Sequence, residues 1–162
     1  MDEAGQPQVR TLVLRELDER LALFINATSP KQRQLNTGLA AICAYYASIQ
    51  IQYRLICRLE AIPAQRVAES WQLRPDMPKR LDWYYMTGRK QSTEVSDRET
   101  LSREIASVEL PDPLVAPTSA VGYWLIPQEA ERLDLGQPDG LHARQRYLRD
   151  DQGGWRTVTL VP

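Results

Sequence analysis

Residues 40–62 read AAICAYYASIQIQYRLICRLEAI, and their period settles the class of the chain. From Ile49 onward Ile49, Ile51, Tyr53, Leu55, Cys57, Leu59 and Ala61 fall on one side, while Gln50, Gln52, Arg54, Arg58 and Glu60 fall on the other. That is the period of two of a strand with one buried face, broken only at Ile56. The run is rich in β-branched and aromatic residues and meets no Gly or Pro before Pro63. A second apolar run, Ala40 to Tyr46, precedes it, and Ala47-Ser48 is short enough to be a tight link. The stretch therefore predicts a long hairpin in the middle of a sheet. A single helix through it is the weaker alternative, because Arg54, Arg58 and Glu60 would then enter the apolar face of its last turns.

Working outward, Asp2 to Pro7 reads as a turn, Val9 to Arg15 as an alternating strand, and Leu21 to Asn26 as an apolar strand antiparallel to it. Thr28-Ser29-Pro30 is a helix-start signature, with Ser29 as cap and Pro30 at the first helical position, for a short helix over Lys31 to Leu35 that ends near Gly38. The amino end of that helix, with Lys31, suits an anion; taken alone, an ordinary capped surface helix is the better reading. Pro63 to Leu73 predicts a helix, Arg74 to Pro78 a loop, and Lys79 to Met86 either helix or loop. Thr87 to Ser96 is polar, and Arg98 to Val108 returns to helical spacing. The prolines of Leu110 to Pro117 make an extended connector. Four short strands follow, Val121 to Ile126, Ala130 to Leu135, Arg144 to Arg149 and Trp155 to Val161, with a hairpin turn at Asp150 to Gly154.

The fold class this implies is mostly β with short helices. Seven or eight antiparallel strands with helices between hairpins argue against a parallel sheet, and a closed or nearly closed barrel hides the edges. At 162 residues the chain reads as one domain, residues 1–162, able to bury a core without a staple. A net charge of -1 gives no field for nucleic acid or membrane, so any anion site is local. Cys43 and Cys57 lack zinc spacing and read as small core hydrophobes. His142 is the only histidine, which excludes a multi-histidine metal site. No apolar run of about 18 residues and no amino-terminal signal pattern occur, which points to the cytoplasm.

Several segments, in order, resemble the pyridoxine/pyridoxamine 5'-phosphate oxidase family. They are Asp2-Glu3-Ala4-Gly5-Gln6-Pro7, Arg10-Thr11-Leu12-Val13-Leu14-Arg15, Ser29-Pro30-Lys31, Arg74-Pro75, Gln91-Ser92, Pro111-Asp112-Pro113 and Gly122-Tyr123. The closing segment is the more specific match, with Gly136, Leu141-His142-Ala143-Arg144, Tyr147, Arg149, Trp155 and Leu160-Val161-Pro162. The resemblance implies an FMN-binding split β-barrel, antiparallel, that forms a homodimer with FMN at the subunit interface; residues 110–162 would carry the dimerisation segment. Related split barrels also hold deazaflavin or haem.

Position by position, the resemblance implies that Arg10 and Lys31 meet the FMN phosphate. The backbone from Arg10 to Arg15 (Leu12, Val13 and Leu14 included) would line the cofactor together with Phe24 and Ile25. Gln52 would contact the ring, Gln91 and Ser92 would reach it from the other subunit, and Arg144 would sit near it. Arg15, Arg74 and His142 would contact a small organic substrate, with His142 as proton donor or acceptor or, preferably, as a hydrogen-bonding group only. A turn-capping histidine without chemistry is the alternative.

The departures lie mainly at the substrate. Pro30 stands where the family has an arginine, and the family's tryptophan over the flavin falls near Leu133 or Asp134. The family's lysine, tyrosine, arginine and serine for the substrate phosphate are matched by Arg15, Ser70, Arg74 and Pro78, and Gly140 replaces an arginine two residues before His142. Several charge-assisted contacts of about 1.5–3 kcal/mol each are lost, which predicts a substrate other than pyridoxamine phosphate.

Overall fold

The computed structural model describes residues 5–162, so Asp2, Glu3 and Ala4 of the expected opening turn lie outside the described residues. In chain order the elements are β1 (Arg15–Leu17), β2 (Arg20–Asn26), α1 (Lys31–Leu35), β3 (Leu39–Tyr46), β4 (Ile51–Ala61), α2 (Ala64–Gln72) and α3 (Asp76–Thr87). Then come α4 (Arg98–Ala106), β5 (Ala120–Asp134), β6 (Ala143–Arg149) and β7 (Trp155–Leu160). The strand pairs β1–β2, β2–β5, β3–β4, β5–β6 and β6–β7 are all antiparallel. They fall into two compact units: one of the residues up to Thr37 with Ala61–Trp124, the other of Gly38–Glu60 with Leu125–Pro162. Strand β5 runs through both.

In the first unit β1 and β2 join through Asp18 and Glu19, both at positive φ (52° and 58°), a turn whose twist matches that of a hairpin. Arg66 of α2 clamps the Asp18 carboxylate. Strand β2 pairs with the first part of β5, from Ala22 opposite Trp124 to Asn26 opposite Ala120. Ala22, Ile62 and Val67 form a core against which Leu17, Phe24, Ala120 and Trp124 pack. Gly122 lies directly opposite Phe24, and a Cβ there would stand 3.0 Å from the Phe24 ring and from Ile62.

In the second unit β3 and β4 form the predicted hairpin, with Ala40 opposite Cys57 and Tyr46 opposite Ile51. Ile51, Tyr53, Leu55, Cys57 and Leu59 face inward more than Arg54, Ile56 and Arg58 do, so the break at Ile56 is an apolar residue on the outer face. Burial pushes the Cys57 thiol up to about 11, as suits an inert core residue. The rest of β5 pairs with β6, and β6 with β7. The Asp150 carboxylate closes the last hairpin by accepting from the Gln152 and Gly154 amides, 2.9 and 2.7 Å.

The structure differs from the sequence expectations at five places. Residues 6–14 are irregular and β1 begins only at Arg15, because Val9 (97% exposed), Leu12, Val13 and Leu14 have no face to bury. The link between β3 and β4 is a four-residue turn with Gln50 at positive φ, not Ala47-Ser48 alone. Cys43 is exposed on β3 rather than in the core. Pro75 precedes α3 and Pro78 sits in its first turn, where a missing N–H breaks no helical hydrogen bond, so α3 starts inside the expected loop. Finally, β5 is one strand through Pro127, which lies after the β2 ladder ends at Trp124 and before the β6 ladder begins at Glu129, so on that edge no partner strand calls on its amide. Proline is tolerated where no ladder needs its amide.

Gly88 closes α3, and a Cβ there would lie 2.7 and 2.9 Å from carbons of the Tyr84 ring. That ring is buried. Gly88→Ala is expected to lower unfolding free energy by about 1–3 kcal/mol in urea titrations; an unchanged midpoint contradicts this packing.

Candidate functional site

Lys31 opens α1 and is buried, 8% exposed. Its ammonium donates to Ser29 Oγ at 2.6 Å and to Gln91 Oε1 at 3.0 Å. Both acceptors are neutral. Burial, and then the nearby charge of Arg10, lower the Lys31 pKa. Arg10 itself donates to Gln34 Oε1 at 2.7 Å. Two cations thus lie near one another, each held by neutral hydroxyl or amide oxygens of its own, an arrangement suited to a multiply charged anion.

At the amino end of α1, read above as an ordinary helix start in preference to an anion site, the first amides are engaged by Ser29. Helix α1 has only five residues, the Gln32 amide donates to the Ser29 carbonyl at 3.0 Å, and the Ser29 hydroxyl serves Lys31. Any anion held here would be held mainly by side chains.

Gln91 meets Lys31 within the same chain. Ser92, at φ 73°, is exposed beside it. The segment that carries them is anchored from α4, because Glu104 accepts from Arg89 at 2.9 and 3.0 Å and from the Tyr84 hydroxyl. Those hydrogen bonds, Arg89 first, bring the Glu104 pKa from 4.5 down to about 2. A depressed carboxylate stabilises the fold above its unfolded pKa and loses that contribution as pH falls through the folded one. Wild type is therefore expected to lose stability between pH 4.5 and about 2 more steeply than Glu104→Gln in acid-dependent urea titrations. Parallel curves contradict the anchor.

Arg74 precedes α3 and is committed to an internal partner, the buried Asp82 carboxylate. Arg15 starts β1 opposite Ala22. Ile25 is buried in β2, and Phe24 packs on the first unit's core. Leu12, Val13 and Leu14 lie in the exposed irregular segment.

The second unit carries Gln52, Arg144 and His142. Gln52 stands opposite Tyr45 and so shares a face with it. Arg144 donates to Glu131 at 3.0 Å, and Arg54 also pairs with Glu131, at 3.5 Å. These arginines, Arg144 first, hold the buried Glu131 carboxyl below its usual range. The Nε of Arg144 is buried without an acceptor among the described residues, as is that of Arg146. His142 is exposed, one residue before β6, after a turn in which Gly140 adopts φ 75°. Glycine at that position suits a left-handed turn better than arginine does.

Sequence reading missed Asp82, Asn26 and Glu131, buried polar residues whose signal is only a charge or amide inside an aromatic or apolar run. No cluster of three or more His, Cys, Asp or Glu able to hold a metal occurs among the described residues. Nor is any helix there long and apolar enough to cross a membrane.

No family model matches the chain. Curated relatives do. It is 33% identical over 167 residues to a pyridoxine/pyridoxamine 5'-phosphate oxidase of Pseudomonas paraeruginosa, covering 100% of this chain and 75% of that protein. To the oxidase of the same name from Mannheimia succiniciproducens it is 33% identical over 164 residues, covering 99% and 75%. Among solved structures it is similar to PhzG from Burkholderia lata in complex with tetrahydrophenazine-1-carboxylic acid, with TM-score 0.81, 28% identity, and 100% and 79% of the two chains covered. A pyridoxamine 5'-phosphate oxidase-related, FMN-binding protein from Nostoc punctiforme shares the fold at TM-score 0.80, 21% identity, and 99% and 83% coverage.

Proposed function

Because the chain belongs to the pyridoxine/pyridoxamine 5'-phosphate oxidase family and has its antiparallel split-barrel fold, we propose that it is an FMN-dependent oxidoreductase acting on a small organic substrate other than pyridoxamine phosphate. The observation that carries this reading is the buried Lys31 ammonium beside Arg10, held only by neutral oxygens. Such a pair fits the phosphate of FMN.

When bound, FMN supplies two-electron chemistry, taking a hydride from the substrate and passing the electrons to dioxygen. Lys31, Arg10 and Gln91 hold the anionic tail, with Ser29 fixing the lysine. The segment from Leu12 to Arg15, with Phe24, Ile25 and Ser92, lines the cofactor. Gln52 offers an amide donor and acceptor to the ring, and Arg144 offers its free Nε. His142, through a ring nitrogen, hydrogen-bonds the substrate, and Arg15 and Arg74 complete the substrate contacts.

We assign residues 1–162 to one family domain that acts as a homodimer with the cofactor at the shared interface. We place it in the cytoplasm, where an exposed thiol such as Cys43 stays reduced. A second reading, a flavin-binding or dimeric interaction protein without catalysis, is favoured by the engagement of Arg74 with Asp82.

Purified protein is expected to absorb near about 450 nm, and substrate without oxygen is expected to bleach it. Colour without bleaching favours the second reading. A protein that ignores added FMN removes both flavin readings and leaves only the dimeric interaction protein. Arg10→Ala is expected to release FMN more readily than Arg74→Ala; equal affinities in the two variants contradict the division between cofactor and substrate arginines.

A further inference from the structure

We infer that Asp82 sets the substrate class of this site: by holding Arg74 in a buried ion pair, it selects a substrate without a phosphate ester. The inference rests on the flavoenzyme reading above. Asp82 lies on α3 and is 5% exposed. Its Oδ2 accepts from Trp71 Nε1 of α2 at 2.8 Å and from Arg74 Nη1; its Oδ1 accepts from Asn26 Nδ2 of β2 at 3.2 Å. Asn26 Nδ2 also donates to Ser119 Oγ at 3.0 Å.

One carboxylate therefore collects three donors from three parts of the first unit, and Arg74 is the cation among them. A buried carboxylate that loses its cation becomes an uncompensated charge in a poor solvent. A phosphate dianion recruiting Arg74 would have to break that pair or stand against the Asp82 charge. Either route costs most of what the guanidinium offers. Arg74 is still partly exposed, so its remaining N–H groups can donate to a substrate carbonyl or a single carboxylate. Pro78 adds no donor beside it. Lys79 is the neighbouring cation, its ammonium 5.6 Å from the centre of the Trp71 ring.

The test titrates FMN-saturated protein calorimetrically with pyridoxamine 5'-phosphate and with pyridoxamine, which differ only in the phosphate. Wild type is expected to prefer the phosphate ester by less than about tenfold, or to bind neither. Asp82→Asn keeps an oxygen for Trp71 but frees the charge of Arg74 near Lys79, and is expected to raise the preference by about tenfold or more. A preference of about tenfold or more in wild type overturns the inference even if the variant fails to fold. So does a folded Asp82→Asn protein with the wild-type preference. Flavin content is read separately by absorbance: a protein that takes up no FMN defeats the cofactor reading and this inference together, whereas a yellow protein that prefers the phosphate ester leaves the cofactor reading standing and defeats the inference together with the exclusion of pyridoxamine phosphate.

Discussion

Lys31→Met is expected to weaken FMN binding by about a hundredfold while changing riboflavin binding by less than about threefold, as read by quenching of flavin fluorescence. The ammonium is buried and held by Ser29 Oγ and Gln91 Oε1, neither of which neutralises it. A charge-assisted hydrogen bond to a phosphate contributes about 1.5–3 kcal/mol, and about 1.4 kcal/mol is tenfold in affinity. Methionine keeps an unbranched apolar stem and removes the ammonium, with its charge and its donors to Ser29 and Gln91. Unfolding is not a competing explanation, because the lysine pKa is lowered by burial and by Arg10. A lysine with a depressed pKa disfavours the fold while charged, and that penalty is relieved as pH rises from the folded pKa toward 10.5. Flavin-free Lys31→Met should therefore melt no lower than wild type at neutral pH. A large drop in its melting temperature contradicts this account.

The largest effect on stability is expected from Asp82→Ala, about 3–5 kcal/mol in urea unfolding. The substitution strips the acceptor from Arg74, Trp71 Nε1 and Asn26 Nδ2 at once and leaves a small cavity between α2 and α3. Removing one partner of a buried pair is worse than never having had the pair, since the survivors keep their desolvation cost. Asp82→Asn should lose about half as much, because it retains one oxygen acceptor. Equal stability of Asp82→Ala and wild type would mean that Arg74 is solvated and the pair is a surface contact.

The alternation from Ile49 to Ala61 made the central hairpin legible because one face of β4 is buried and the other is not, a difference any strand must write into its side chains. Arg10 was marked only through the resemblance, and Lys31 otherwise only as the less favoured reading of the α1 start as an anion site. Nothing in the bare sequence says that a lysine after Ser-Pro is buried. The Val9–Leu14 run misled for the opposite reason: it alternates, yet none of Val9, Leu12, Val13 and Leu14 is buried in the chain. Pro78 and Pro127 misled because proline's cost depends on whether its missing amide falls on a hydrogen bond, and at a first helical turn or between ladders it does not. Asp82 was invisible because its three donors come from residues distant in sequence, and burial of a carboxylate follows from the fold, not from its neighbours in the chain.

The decisive quantity is the ratio of dissociation constants for riboflavin and FMN, two ligands identical in ring and differing in one phosphate, measured on the flavin-stripped wild-type protein. If the two cations of the first unit hold an anionic tail, FMN binds about a hundredfold tighter or more. Equal binding of the two, or no binding of either, contradicts the assignment of Arg10 and Lys31 to a cofactor phosphate.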